Sequence, residues 1–100
     1  MDVLIADDHP LVRDALATIV RQLDADARLV QVGDYPTLVE HLSAEVPDLL
    51  LIDLNMPGTN GLDGLRRLRQ QFPSLAVIVA SGQDDPATIR GALATRTHRP

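Results

Sequence analysis

Short, solid apolar runs alternate along this chain with longer segments in which apolar residues return every three or four positions. The runs are Val3-Leu4-Ile5-Ala6, Leu29-Val30-Gln31-Val32, Leu49-Leu50-Leu51-Ile52 and Ala76-Val77-Ile78-Val79-Ala80. Most lack the in–out alternation of a half-exposed strand, which suits parallel strands covered on both faces. The leucines of the third run would also fit a buried helix. Its brevity and the Pro47 just before it favour a strand.

The intervening segments predict helices. Leu11, Val12, Ala15, Leu16, Ile19, Val20 and Leu23 make one apolar face, with Arg13, Asp14, Arg21 and Gln22 opposite. Pro10 suits the first turn of that helix, where a missing N–H costs nothing. Leu38, Val39, Leu42 and Val46 form a shorter stripe, and His41 falls at its boundary with solvent. A third stripe is Leu62, Leu65, Leu68 and Phe72, with Asn60 as expected N-cap, Asp63 three residues on, and Pro73 after its end. Asp85-Pro86 opens a fourth helix running to about Thr95. The order βαβαβαβα predicts an α/β fold: a three-layer, doubly wound parallel sheet with right-handed crossovers.

Composition narrows the class. One hundred residues give room for a single small domain. A net charge of −5 argues against a nucleic-acid-binding surface, and the absence of cysteine excludes disulfides and thiolate metal sites. No apolar run approaches the roughly 20 residues that span a bilayer. The start, Met1 to Asp8, lacks the features of a signal peptide, so a cytoplasmic location is expected. All nine basic residues are arginine, and Arg66, Arg67 and Arg69 read as a solvated helix face.

The acids change the picture. In an open α/β sheet, chemistry collects beyond the carboxyl ends of the strands. The first run leads straight into Asp7 and Asp8, the third into Asp53, and the fourth ends at Ser81. An isolated aspartate at a strand end is as readily a helix cap. Caps do not explain three acids arriving from two strands. If those strands are neighbours, the carboxylates repel one another, and a divalent cation removes the penalty. Oxygen ligands without histidine or cysteine point to a hard ion, Mg²⁺ first, with Mn²⁺ as the alternative. His9 stands beside the acids, but with Pro10 next to it the expected role is helix entry. The stretch Asp53-Leu54-Asn55-Met56-Pro57-Gly58-Thr59-Asn60-Gly61 then forms a tight, glycine-bearing loop into a helix.

Together these motifs resemble the receiver domain of two-component response regulators, over nearly the whole chain from Val3 to about Ala94. The resemblance implies a flavodoxin-like fold. It implies that Asp53 is the phosphoacceptor, with a metal ion held by Asp7, Asp8, Asp53 and the backbone carbonyl of Asn55. Met56, Pro57 and Gly58 complete the loop, and Ser81 matches the hydroxyl residue that contacts the phosphoryl group. The stretch Asp8-His9-Pro10-Leu11-Val12-Arg13 is similar to the NarL/FixJ class, which usually carries a DNA-binding domain behind the receiver. The implied partner is a sensor histidine kinase.

The chain departs from the family at its end. No fifth strand–helix unit follows, and the lysine that ends that strand has no counterpart, because the sequence contains no lysine. The expectation is an incomplete receiver over residues 1–95 with a polar tail at 96–100. A shortened receiver of this kind would have low stability as a monomer, and the apolar run Ala76 to Ala80 would be an edge open to self-association. Two rival functions stand beside the phosphoacceptor. One is a degenerate receiver that binds partners without productive signalling. The other is a small phosphatase, which would want an acid where Asn55 stands. Direct nucleic-acid binding and membrane insertion are not expected.

Overall fold

The computed structural model describes residues 1–80. The expected fourth helix, Ser81, and the boundary between 1–95 and the 96–100 tail lie outside the described residues. Seven elements follow one another: β1 (Asp2–Ala6), α1 (Pro10–Leu23), β2 (Arg28–Val32), α2 (Tyr35–Ala44), β3 (Leu49–Ile52), α3 (Leu62–Gln71) and β4 (Val77–Val79). The strands form one parallel sheet in the order β2-β1-β3-β4. This is the flavodoxin-like order, and among the described residues the sheet has four strands.

The solid apolar runs of β1 and β3 are explained by two separate cores. Val3, Ile5, Leu49 and Leu51 face Leu16, Ile19 and Val20 of α1 on one side. Leu4, Ala6, Leu50 and Ile52 face Leu38 and Leu42 of α2 and Leu68 of α3 on the other. Burying one such leucine contributes about 1.5–3 kcal/mol. With every position of β3 buried, this strand is the centre of the molecule.

Several expectations are corrected. Among the described residues β2 is an edge strand, and its Val30 and Gln31 are exposed instead of covered. In α1, Ala17 is buried and Ala15 exposed, while Leu11 at 84% and Leu23 at 48% exposure lie outside the core. The helix turns its packing stripe toward β1 and β3. Val46 falls beyond α2 and is exposed.

The third helix opens differently from expectation. Gly61, not Asn60, is its N-cap residue, and no side chain caps it. Asn60 and Gly61 both have φ of 58°, a left-handed conformation that asparagine tolerates and glycine adopts freely. The chain uses that pair to turn, so Asn60 cannot serve as a cap. At α2 a cap is present that the apolar stripe did not signal: the Asp34 side chain accepts from the Thr37 N–H at 2.8 Å.

Candidate functional site

β1 and β3 lie side by side, and at their carboxyl ends the chain leaves toward opposite faces of the sheet. This reversal opens a crevice at the strand ends. Asp7 follows β1 directly and Asp53 follows β3 directly. The Asp53 N–H donates to Ala6 O at 2.9 Å, and the Asp7 N–H donates to Val32 O at 3.1 Å. Both acids are therefore held by the sheet ladder itself. They are 2% and 4% exposed, while Asp8 reaches outward. The structure brings Asp7, Asp8 and Asp53 together as the sequence anticipated.

Ligand atoms of Asp7, Asp8, His9 and Asp53 all lie within 4.8 Å of one another. Two oxygens on opposite sides of one Mg²⁺ are about 4.2 Å apart at its usual bond length of about 2.1 Å. A small inward adjustment would let these carboxylates share one ion, so the donor set fits a hard divalent cation. No arginine side chain pairs with these three carboxylates among the described residues. Two nearly buried acids beside a third need a compensating positive charge.

His9 lies against two of these carboxylates. It sits at the N-cap position of α1, as a helix-entry residue should, yet its side chain makes no cap. Instead its ring Nδ1 lies 2.8 Å from Asp7 Oδ1 and 3.1 Å from Asp8 Oδ1, while its backbone N–H donates to Asp7 Oδ1 at 2.8 Å. The hydrogen bond to Asp7, then the charge of Asp8, hold the imidazole above its ordinary value. The ring itself is 64% exposed, so it meets the acids from the solvent side.

The loop after β3 is shaped around Asp53. Asn55 N–H donates to Asp53 Oδ1 at 2.9 Å, and among the described residues the other carboxylate oxygen has no hydrogen-bond donor. Met56 N–H donates to Asp53 O, and Thr59 N–H to Met56 O, at 3.1 and 3.2 Å. Met56 is buried, whereas Pro57 is exposed at the outer turn. Gly58 has φ of 85°, where a side chain would be strained.

Arg13 is a residue that periodicity misassigned. It was expected on the polar face, but it is half-buried, and its Nη1 donates to the backbone oxygen of Asp7 at 2.6 Å. Its Nε donates to Gln31 Oε1 at 3.1 Å, which ties α1 to the ends of both β1 and β2. Gly33 leaves room for this, since a Cβ there would stand 3.2 Å from Nη1.

A groove of about 300 Å³ opens elsewhere, at the amino ends of β1 and β2 beside Asp2, Arg28, His41 and Glu45. It is on the opposite rim from the acids.

The profile of the response regulator receiver domain matches residues 3–99. This chain belongs to the receiver domain family. The receiver is similar to the glycerol metabolism activator of Pseudomonas putida, at 34% identity over 92 residues, covering 91% of this chain and 42% of that protein. It is similar to the transcriptional regulatory protein RcsB of Escherichia coli K12, at 31% identity over 96 residues, covering 93% of this chain and 44% of RcsB. The chain thus spans under half the length of these curated relatives, of which RcsB is a regulator of the NarL/FixJ class. Among solved structures it resembles the isolated receiver domain of RcsB from Salmonella enterica serovar Typhimurium, determined in the presence of the phosphomimetic BeF3-. That match has a TM-score of 0.74 and 30% identity, and covers 96% of this chain and 72% of the other. The receiver is a signalling module of two-component systems. No helix among the described residues is long and apolar enough to cross a membrane.

Proposed function

We propose that this receiver accepts a phosphoryl group on Asp53 from the phosphohistidine of a sensor histidine kinase in the cytoplasm. The observation that carries the reading is the convergence of Asp7, Asp8 and Asp53 at one rim, with no arginine side chain paired to them among the described residues.

Asp53 acts as the nucleophile through the oxygen that Asn55 leaves open. That oxygen forms a P–O bond as the P–N bond to the donor imidazole breaks, and the imidazole leaves with the bonding pair. Asn55 N–H fixes the rotation of the carboxylate, so the attacking oxygen is oriented before the donor arrives. Asp8 and Asp53 would hold Mg²⁺ directly, with Asp7 acting largely through water and Asn55 offering its backbone carbonyl. When bound, the ion supplies positive charge and a template for the phosphoryl oxygens. Ser81, which follows the fourth run, would donate to a phosphoryl oxygen. Met56, Pro57 and Gly58 keep the loop closed around the acceptor. The modification adds about −1.5 to −2 charge, on the scale of other phosphorylated side chains.

Mass spectrometry after incubation with acetyl phosphate and Mg²⁺ tests the assignment. Wild type gains a phosphoryl group on the peptide containing Asp53, and Asp53→Asn does not. Equal labelling of both proteins, or none of the wild type, removes the phosphoacceptor role and leaves a receiver that only binds partners.

A further inference from the structure

We propose that Tyr35 is a positioning residue for the phosphoacceptor site, fastening the β3–α3 loop and, through it, the groups around Asp53. The inference rests on the phosphoacceptor reading and deepens it.

The loop is difficult to hold by its own local structure. Between Asp53 and α3 the backbone has no regular helix or strand, and three of its residues, Gly58, Asn60 and Gly61, have positive φ. The sheet anchors one end, through Asp53 N–H to Ala6 O. Tyr35, in the first turn of α2, anchors the rest. Its backbone N–H donates to Pro57 O at 3.0 Å. Its hydroxyl donates to the backbone oxygen of Gly64 in the first turn of α3 at 3.2 Å. The loop passes between these two bonds.

Packing reinforces them. Tyr35 is 9% exposed and shares a core cluster with Met56 and Leu68. A Cβ on Gly58 would stand 3.2 Å from the Tyr35 Cβ, so the loop backbone lies directly against the tyrosine. The Arg67 guanidinium covers the ring, 5.3 Å from its centroid. A phenylalanine would fill this space equally well, so packing alone does not call for a hydroxyl. A buried hydroxyl is costly unless it is bonded, and here it is bonded to the helix into which the loop runs. Pro57 is two residues from Asn55, the residue that orients the Asp53 carboxylate. Movement of the loop at Pro57 therefore reaches the acceptor.

The test uses the full 100-residue chain. Tyr35→Phe keeps the ring and deletes one hydrogen bond. Calorimetric Mg²⁺ affinity should weaken about three- to tenfold, the worth of one buried hydrogen bond. Labelling of Asp53 by acetyl phosphate should need correspondingly more Mg²⁺. Arg67→Gln, an exposed change that loosens the ring from outside, should weaken binding about two- to fivefold. Arg28→Gln, at the opposite rim, should lower thermal stability without moving Mg²⁺ affinity. Should Tyr35→Phe fail to fold, Arg67→Gln decides. Wild-type affinity in Tyr35→Phe, or an equal loss in Arg28→Gln, overturns the positioning role while wild-type labelling of Asp53 keeps the phosphoacceptor reading. A wild type that takes no label removes that reading first, and this inference with it.

Discussion

Gly64 shows how little freedom single positions have around the loop. A Cβ there would collide with Thr59 O and lie 2.8 Å from Thr59 Cγ2, both in a fully buried residue. Gly64→Ala should therefore destabilise the protein by about 1–3 kcal/mol, as overpacked sites do, measured by urea unfolding. Arg13 carries a different kind of constraint. Arg13→Gln deprives the Asp7 carbonyl of its 2.6 Å donor and should weaken Mg²⁺ binding several-fold in a calorimetric titration. Unchanged binding would mean that Asp7 is placed by β1 alone. The identity of the acids was legible in the sequence, because strand ends and loop composition both marked them. The role of Arg13 was not. Periodicity assigns a residue to a face, whereas a long side chain reaches around its helix to a neighbouring strand. Nor could sequence show Asn60 as a left-handed turn residue, since the same residue type caps helices.

At the scale of elements, β3 and α1 make opposite predictions for the same substitution. Leu51→Ala opens a cavity in a strand buried on both faces and should cost about 2–5 kcal/mol. Leu11→Ala, at 84% exposure, should change stability by no more than about 0.5 kcal/mol. Comparable losses in both would contradict the packing assigned to α1. The central strands were readable because solid apolar runs have few other uses. β2 was not, because a mainly apolar run does not reveal whether it lies inside or at the edge of a sheet. The start of α2 adds a pH-dependent contribution. The Thr37 N–H bond holds the Asp34 carboxyl below its ordinary range. Such a depressed group stabilises fully above its unfolded value, and the contribution disappears as pH falls through the folded one. In thermal melts from pH 6 downward, wild type should therefore lose part of its advantage over Asp34→Asn at the acid end. A constant difference would show that the cap does not depend on ionisation.

At the scale of the whole molecule, the alternation of strand and helix was enough to infer a parallel α/β sheet. The order β2-β1-β3-β4 was a condition of the site argument, and coordinates were needed to meet it. That order puts acids from two distant segments on one rim, while Asp2, Asp48 and Glu45 gather at the amino-terminal rim beside Arg28. The two rims differ in how their charge is balanced. Arg28 pairs with Asp2 at 2.8 Å, whereas among the described residues no arginine side chain pairs with Asp8 or Asp53. A bound cation is thus expected at the carboxyl ends of the strands. Anomalous scattering from crystals grown with Mn²⁺, which takes the same oxygen ligands as Mg²⁺, measures this most directly. The account predicts one strong peak between β1 and β3, about 2.2 Å from carboxylate oxygens of Asp8 and Asp53. A peak confined to the opposite rim, or well-ordered carboxylates with no peak between them, would contradict it.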